Sequence, residues 1–406
     1  MRSLLIDITP LRTSPAFRRF FIGRAVSGIG GQLTVLAVMY QVWEATHSPL
    51  WSGSVAIAEL VPMLVVGLWG GSIADRADRR SILLATNVTQ LVLALLLMTQ
   101  ALWLGTSASS LGPVLVLVAL MAATGAVATP ASLGLIPRLL PADQVAAGLA
   151  LNRLGFQGAV LLGPALGGLV IGYAGLEIAY ALDAASFAAG FLGVVGLPAL
   201  APVTRTGGGG VLDGLRFAAT QPVVRGVLLV DLAATVLAMP VSLFPLVNEE
   251  RFGGDPRTLG LFLTAIAVGG VAASLVSGSF TRRSRPGVIT IGAAAVWGLA
   301  LGLVGVVTSP WLCLALLAVA GAADSVSVVT RGTLVQLAVP DDLRGRTAAI
   351  EMIVGAGGPE VGNLRGGAVA QLTSGSFALV SGGIACLLAL AAIGATSRPM
   401  LTFRTR

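Results

Sequence analysis

The 406-residue chain contains no lysine, and all 25 of its Lys and Arg positions are arginine. A phosphate-binding loop of the G-x-x-x-x-G-K-[ST] type is therefore impossible, which disfavours ATP-driven pumping by this chain. Histidine occurs once, at His47, and cysteine twice, at Cys313 and Cys386, both inside apolar runs. These leave no His/Cys metal cluster and no Ser/His or Cys/His pair for nucleophilic catalysis, so no metal, no cofactor and no enzyme activity are expected. Charge is scarce as well: 11% of residues are charged and 55% hydrophobic, with mean hydropathy +0.91. A soluble globule carries roughly 25% charged residues, so this composition belongs to an integral membrane protein. The net charge of +7 might suggest nucleic acid, but most arginines sit in short loops on one side of the expected spans. Topology accounts for them, and no nucleic-acid partner is expected.

What is present is apolar length. Twelve runs, near 17–43, 51–74, 81–104, 112–136, 146–173, 178–198, 223–247, 258–281, 287–308, 311–338, 345–371 and 375–397, each reach the roughly 20 residues a helix needs to cross a bilayer. An even number puts both termini on one side. Of the arginines in the tails, the loops and the ends of the spans, nineteen fall on the side of the termini and only Arg251 and Arg257 on the other, which makes the first side cytoplasmic. The basic N-terminus leads straight into a full span, so no cleavable signal is expected. Trp51, Trp103 and Trp311, near predicted outer ends, read as interfacial anchors.

The chain also repeats itself. Thr13-Ser14-Pro15-x-x-Arg18 recurs 207 residues later as Thr220-Gln221-Pro222-x-x-Arg225, while Gly163, Gly167 and Gly168 recur 199 residues later as Gly362, Gly366 and Gly367. A glycine-rich connection, with Gly207 to Gly210 ahead of a short amphipathic piece, separates the copies. The expected organisation is an N-terminal six-helix bundle over 1–198, a cytoplasmic linker over 199–222 and a C-terminal six-helix bundle over 223–406. The expected fold is thus all-α and integral to the membrane, with twelve transmembrane helices in two pseudo-symmetric bundles.

Between the second and third runs stands Gly70-Gly71-Ser72-Ile73-Ala74-Asp75-Arg76-Ala77-Asp78-Arg79-Arg80. Its spacing G-x-x-x-D-R-x-x-R-R resembles the signature of the major facilitator superfamily, with Asp78 where the common pattern has glycine. The resemblance implies a gating motif of Gly71, Asp75, Arg76, Arg79 and Arg80, with Asp75 meeting the start of the eleventh run near Arg344 and Arg346. Gly163-Pro164-Ala165-Leu166-Gly167-Gly168 resembles the fifth-helix motif of drug/proton antiporters in that superfamily. Ser14 to Arg18, Arg24, Gly214 to Phe217, Ser284 to Gly287 and Gly345-Arg346 extend the resemblance to its siderophore (enterobactin) exporters. What this implies is a monomer in a bacterial cytoplasmic membrane that exports an amphipathic, siderophore-like small molecule, with protons as the counter-ion. A broad multidrug or antibiotic exporter is the alternative, and an importer or a non-transporting sensor lies further off. The arginine common in the fourth helix of such antiporters is missing, since the run from Gly112 to Ile136 carries no charge.

Ionisable groups inside spans normally face a cavity or a partner, because they are costly in hydrocarbon. Glu59, Asp231, Asp183 and Asp324 are the candidates for coupling, and Arg24, Asn152 and Glu351 for substrate binding. Arg24 and Asp231 are equivalent under the 207-residue repeat, and Asn152 and Glu351 under the 199-residue one. Arg24 and Asp231 thus either pair with each other or form local pairs within their own halves.

Overall fold

The computed structural model describes residues 7–76, 78–197, 211–276, 285–340 and 343–404, with the backbone alone at 68–76, 211–215, 344–346, 348 and 349. The first six long helices are α1 (Pro15–Thr46), α2 (Pro49–Arg76), α3 (Arg79–Leu104), α4 (Leu111–Leu139), α5 (Val145–Ala174) and α6 (Leu176–Val195). A short helix, Val211–Thr220, precedes α7 (Pro222–Ala238), and after a break the chain resumes as Phe244–Phe252. Then follow α8 (Pro256–Leu275), α9 (Pro286–Val304), α10 (Pro310–Ala338), α11 (Arg344–Leu372) and α12 (Gly375–Thr396). Among the described residues there is no strand, and eleven helical segments are long and apolar enough to cross a membrane. The remaining helix, α11, is made polar by Glu351, Glu360, Asn363 and Arg365.

The chain divides into two compact units, 1–46 with 58–206 and 47–57 with 207–406. Residues 47–57, expected in the N-terminal bundle, group with the second unit because the start of α2 lies on α11. A side chain at Gly53 would meet the Asn363 carbonyl, and one at Gly367 would overlap the Pro49 carbonyl. Half of the expected linker, 199–210, lies outside the described residues.

Within each unit the helices pair in the same way. In the first, α1 packs on α5 and α6, and α3 on α4 and α6; in the second, α7 packs on α11 and α12, and α9 on α10 and α12. The glycines that allow the closest approach correspond. A side chain at Gly163 would strike Gln32 and one at Gly167 would press on Leu36, just as Gly362 faces Met239 and Gly366 faces Leu243. Both repeat offsets thus reappear as contacts between helices.

The seventh span is not the continuous helix its hydropathy predicts. At Met239 the backbone turns extended (φ −72°, ψ 122°), ahead of Pro240, whose ring disfavours helical geometry in the residue before it. The helix α11 supplies the polar groups that the break leaves over. Arg365 Nη1 donates to the Leu237 carbonyl, Asn363 Oδ1 accepts from the Ser242 amide at 3.1 Å, and Ser242 Oγ donates to the Asn363 carbonyl at 2.7 Å.

Arg251, expected in an outer loop, instead belongs to Phe244–Phe252 and holds the end of α9. It donates to the carbonyls of Val304 (2.7 Å), Gly305 (2.5 Å) and Val307 (2.8 Å) and to Ser376 Oγ (2.6 Å). These are carbonyls that a helix C-terminus leaves unsatisfied. Arg251→Ala should cost about 2–3 kcal/mol, read as a lower unfolding midpoint in detergent, and Arg251→Lys should recover only part because an ammonium lacks the fork. Four residues on, Asp255 caps α8 and accepts from Arg257 Nε at 2.9 Å. Hydrogen bonds from the Arg257 side chain hold the Asp255 carboxyl below its usual range, so this cap persists as pH falls until that lowered value is crossed.

Candidate transport site

Arg24 lies in α1, where Gly23 lets that helix approach α6 closely against the Ala189 carbonyl. Its Nε donates to Asn152 Oδ1 on α5 at 3.0 Å. Its terminal nitrogens meet no acceptor among the described residues, so most of the guanidinium's donor capacity is unused. Two cavities touch it. One of about 140 Å³ is walled by Phe21, Asn152 and Phe156. The other, of about 190 Å³, extends toward α3. The structure therefore brings Arg24 and Asn152, two of the three expected binding residues, onto one site.

The equivalent place in the second unit carries the opposite charge. Asp231 on α7 is buried, and it makes an ion pair with Arg331 on α10. Asp324, two turns before Arg331 on the same helix, and Glu351 on α11 both lie within electrostatic reach of that pair. Of the two arrangements open from sequence, local pairs are the ones found: Arg24 with Asn152, Asp231 with Arg331. Arg331 is a functional candidate that no motif in the sequence marks. Asp231 and Arg331 are separated by 100 residues, and no spacing rule links them.

Asp183 is fully buried between α1 and α6, taking a 2.6 Å hydrogen bond from Thr34 and one of 3.2 Å from Ser186. Gly30 gives it room, because a side chain there would overlap both Asp183 and Ser186. Glu59 is half-buried on α2.

The motif around the α2–α3 turn is described in part. The side chains of Gly71, Asp75, Arg76, Arg344 and Arg346 lie outside the described residues, and with them the expected meeting of Asp75 with the start of α11. Arg79 donates to the Gly134 carbonyl of α4, and Arg80 to the Val195 carbonyl at the end of α6 at 2.6 Å. Asp78, the departure from the common pattern, is the N-cap of α3: its carboxylate accepts from the Arg80 amide and from Ser81 Oγ, each at 3.1 Å. A carboxylate at this position satisfies orphan amides and suits the helix dipole. In the fifth-helix motif, Gly163, Pro164, Gly167 and Gly168 are all buried. Pro164 leaves α5 helical, and Gly163 and Gly167 form the seam with α1.

Two units of matching helix pairing, spanning helices throughout and buried charge in both units define a multi-pass membrane transporter. The family model for transmembrane secretion effectors matches residues 6–402, and the chain belongs to that family of the major facilitator superfamily. Among curated proteins it is 28% identical over 402 residues to the enterobactin exporter EntS of Shigella boydii serotype 18, covering 94% of this chain and 92% of that protein. It is 27% identical to EntS of Escherichia coli O139:H28 over the same shares. Solved structures of similar fold include a bacterial homologue of the human lysosomal transporter Spinster, with TM-score 0.77 and 12% identity over 98% of this chain and 99% of that one. A bacterial homologue of the iron transporter ferroportin superposes with TM-score 0.72 and 16% identity over 94% and 98%.

Proposed function

We propose that the protein exports an amphipathic, siderophore-like anion by alternating access in exchange for protons, with both termini in the cytoplasm. The observation that carries the reading is the contrast between equivalent positions. In the first unit a guanidinium with unused donors borders two cavities, which suits an anionic ligand. In the second, one guanidinium pairs with Asp231 and has two further carboxylates within electrostatic reach, which leaves carboxylates available to take up and release protons. The EntS relatives support siderophore export as the direction, and the arginine distribution supports the orientation. Glu59 and Asp183 remain further coupling candidates, and the Asp75 turn with Arg344 and Arg346 remains the proposed gate. The test is uphill transport in proteoliposomes under an imposed pH gradient. Accumulation of a siderophore that collapses with a protonophore is expected. Gradient-independent flux would overturn proton exchange, and movement of lipophilic drugs but no siderophore would replace the substrate class with multidrug efflux.

A further inference from the structure

In the turn between α1 and α2 the chain passes from the first compact unit to the second, and it passes back between Ile57 and Ala58. His47 stands at the crossing. Among the described residues it alone, apart from glycines, has a positive φ (44°), a backbone state that is costly for a residue with a side chain and persists where the surroundings hold it. Those surroundings belong to the second unit. His47 Nδ1 lies 3.2 Å from Glu249 Oε2 in Phe244–Phe252, and the next residue, Ser48, donates from Oγ to Gln371 Oε1 of α11 at 2.7 Å. Both pairs are exposed to water. Further along, Gly53 and Gly367 admit the close contact between the α2 and α11 backbones. The seat of residues 47–57 thus has a close-packed part and a polar end, and the polar end is the part that can respond to the medium. A histidine changes charge between about pH 5 and 8, and only its cation makes an ion pair with a carboxylate. Of the other charged groups nearby in the chain, Glu44 lies three residues back on α1 and goes wherever His47 goes. Glu250 turns toward the start of α12, Arg251 is spent on the carbonyls at the end of α9, and α11 presents the neutral Gln371. Glu249 is therefore the carboxylate whose attraction is lost when the turn leaves the second unit.

We infer that residues 47–57 are a strap that seats on and leaves the second unit, and that the His47–Glu249 ion pair fastens it in acid. The inference rests on the alternating-access reading for its place in the cycle, since units that move against each other must release a segment of one that is fastened to the other. The sign follows from the charge: the cation's contribution to the seated arrangement is complete at low pH and is lost as pH rises and His47 gives up its proton. With the orientation proposed above, the pair faces the outer medium, which is the acidic side of a proton gradient. Acid outside then slows release of the strap, a brake set by the counter-ion's own gradient.

The experiment is double electron–electron resonance on the purified full-length protein, with spin labels at Leu50→Cys and Val306→Cys. Both positions are exposed, and the native Cys313 and Cys386 are buried. Two distance populations are expected, and their ratio should favour the seated one by up to about fivefold more at about pH 5.5 than at about pH 8, the most that an exposed ion pair supplies. His47→Gln and Glu249→Gln should each hold the ratio at its alkaline value, whereas His47→Arg, a permanent cation, should hold it near the acid value throughout. Elution as a single species shows that each variant is folded. A single distance at both pH values overturns the strap. A native ratio that does not move with pH, or a pH-dependent ratio that survives in His47→Gln, overturns the fastening by His47. Populations that shift as expected in a protein that moves no substrate in proteoliposomes would instead overturn the export reading and leave the strap standing.

Discussion

Arg331→Ala is expected to be the most damaging single substitution in the second unit, lowering stability by about 3–5 kcal/mol, whereas Asp231→Asn should cost far less. Asp231 is only 7% exposed, and Arg331 is the cation beside it. Removing the arginine strands a carboxylate in a place with Asp324 and Glu351 already nearby, and like charges then add to the penalty. Removing the aspartate's charge leaves Arg331 with those two carboxylates still in reach. The asymmetry is read from unfolding midpoints in detergent, and the double variant Asp231→Asn/Arg331→Ala should recover part of the loss. Equal costs for the two single variants would mean that the ion pair does not control the site. In transport the expected order reverses: Asp231→Asn should keep substrate counterflow and lose gradient-driven uphill export. If Asp231→Asn and Glu59→Gln both keep full uphill export, coupling lies elsewhere, with Asp183 and Asp324 next to be tested.

The second large effect concerns Arg24. Arg24→Ala should weaken ligand binding by about ten- to a hundredfold, the worth of one charged hydrogen-bonding group, and Arg24→Lys should restore the charge but only part of the affinity. In the native protein Asn152 holds one edge of the guanidinium and leaves the terminal nitrogens for ligand oxygens. A lysine offers no planar edge for Asn152 to fix. Asn152→Ala should therefore weaken binding in the Arg24 protein and make little difference in Arg24→Lys. A titration of these four proteins with a siderophore decides the matter, because equal affinities throughout would make Arg24 a structural residue with no part in recognition.

Hydropathy was enough to find eleven of the spans, because each is a run of residues that water disfavours; α11, with Glu351, Glu360 and Arg365, is legible by its length and its repeat rather than by its hydropathy. The halves were legible for a different reason: Gly163 and Gly362 do the same packing job, and a position that admits only glycine leaves the same letter twice. Pairing across helices was not legible, since Asp231 meets Arg331 only through the fold. Nor was the break in the seventh span. Prolines also occur within α2, α4, α5 and α11, at Pro62, Pro130, Pro137, Pro164 and Pro359, and those helices continue. What distinguishes Pro240 is the presence of Asn363 and Arg365 on a helix more than a hundred residues away. Asp78 was visible as a departure from the common pattern, but its reason, an N-cap, is a matter of backbone geometry.

The interrupted seventh span has a consequence for how the protein is made. The Leu237 carbonyl and Ser242 amide have no helical partners of their own, and in lipid each would cost several kcal/mol. Their partners, Arg365 and Asn363, follow 128 and 121 residues later in the chain. During synthesis the seventh span must therefore wait, its broken backbone kept in water or against the insertion machinery, while four more helices are threaded into the bilayer. A nascent chain stopped before α11 should be held at the translocation site and degraded when released, whereas one stopped after it should leave as a folded unit.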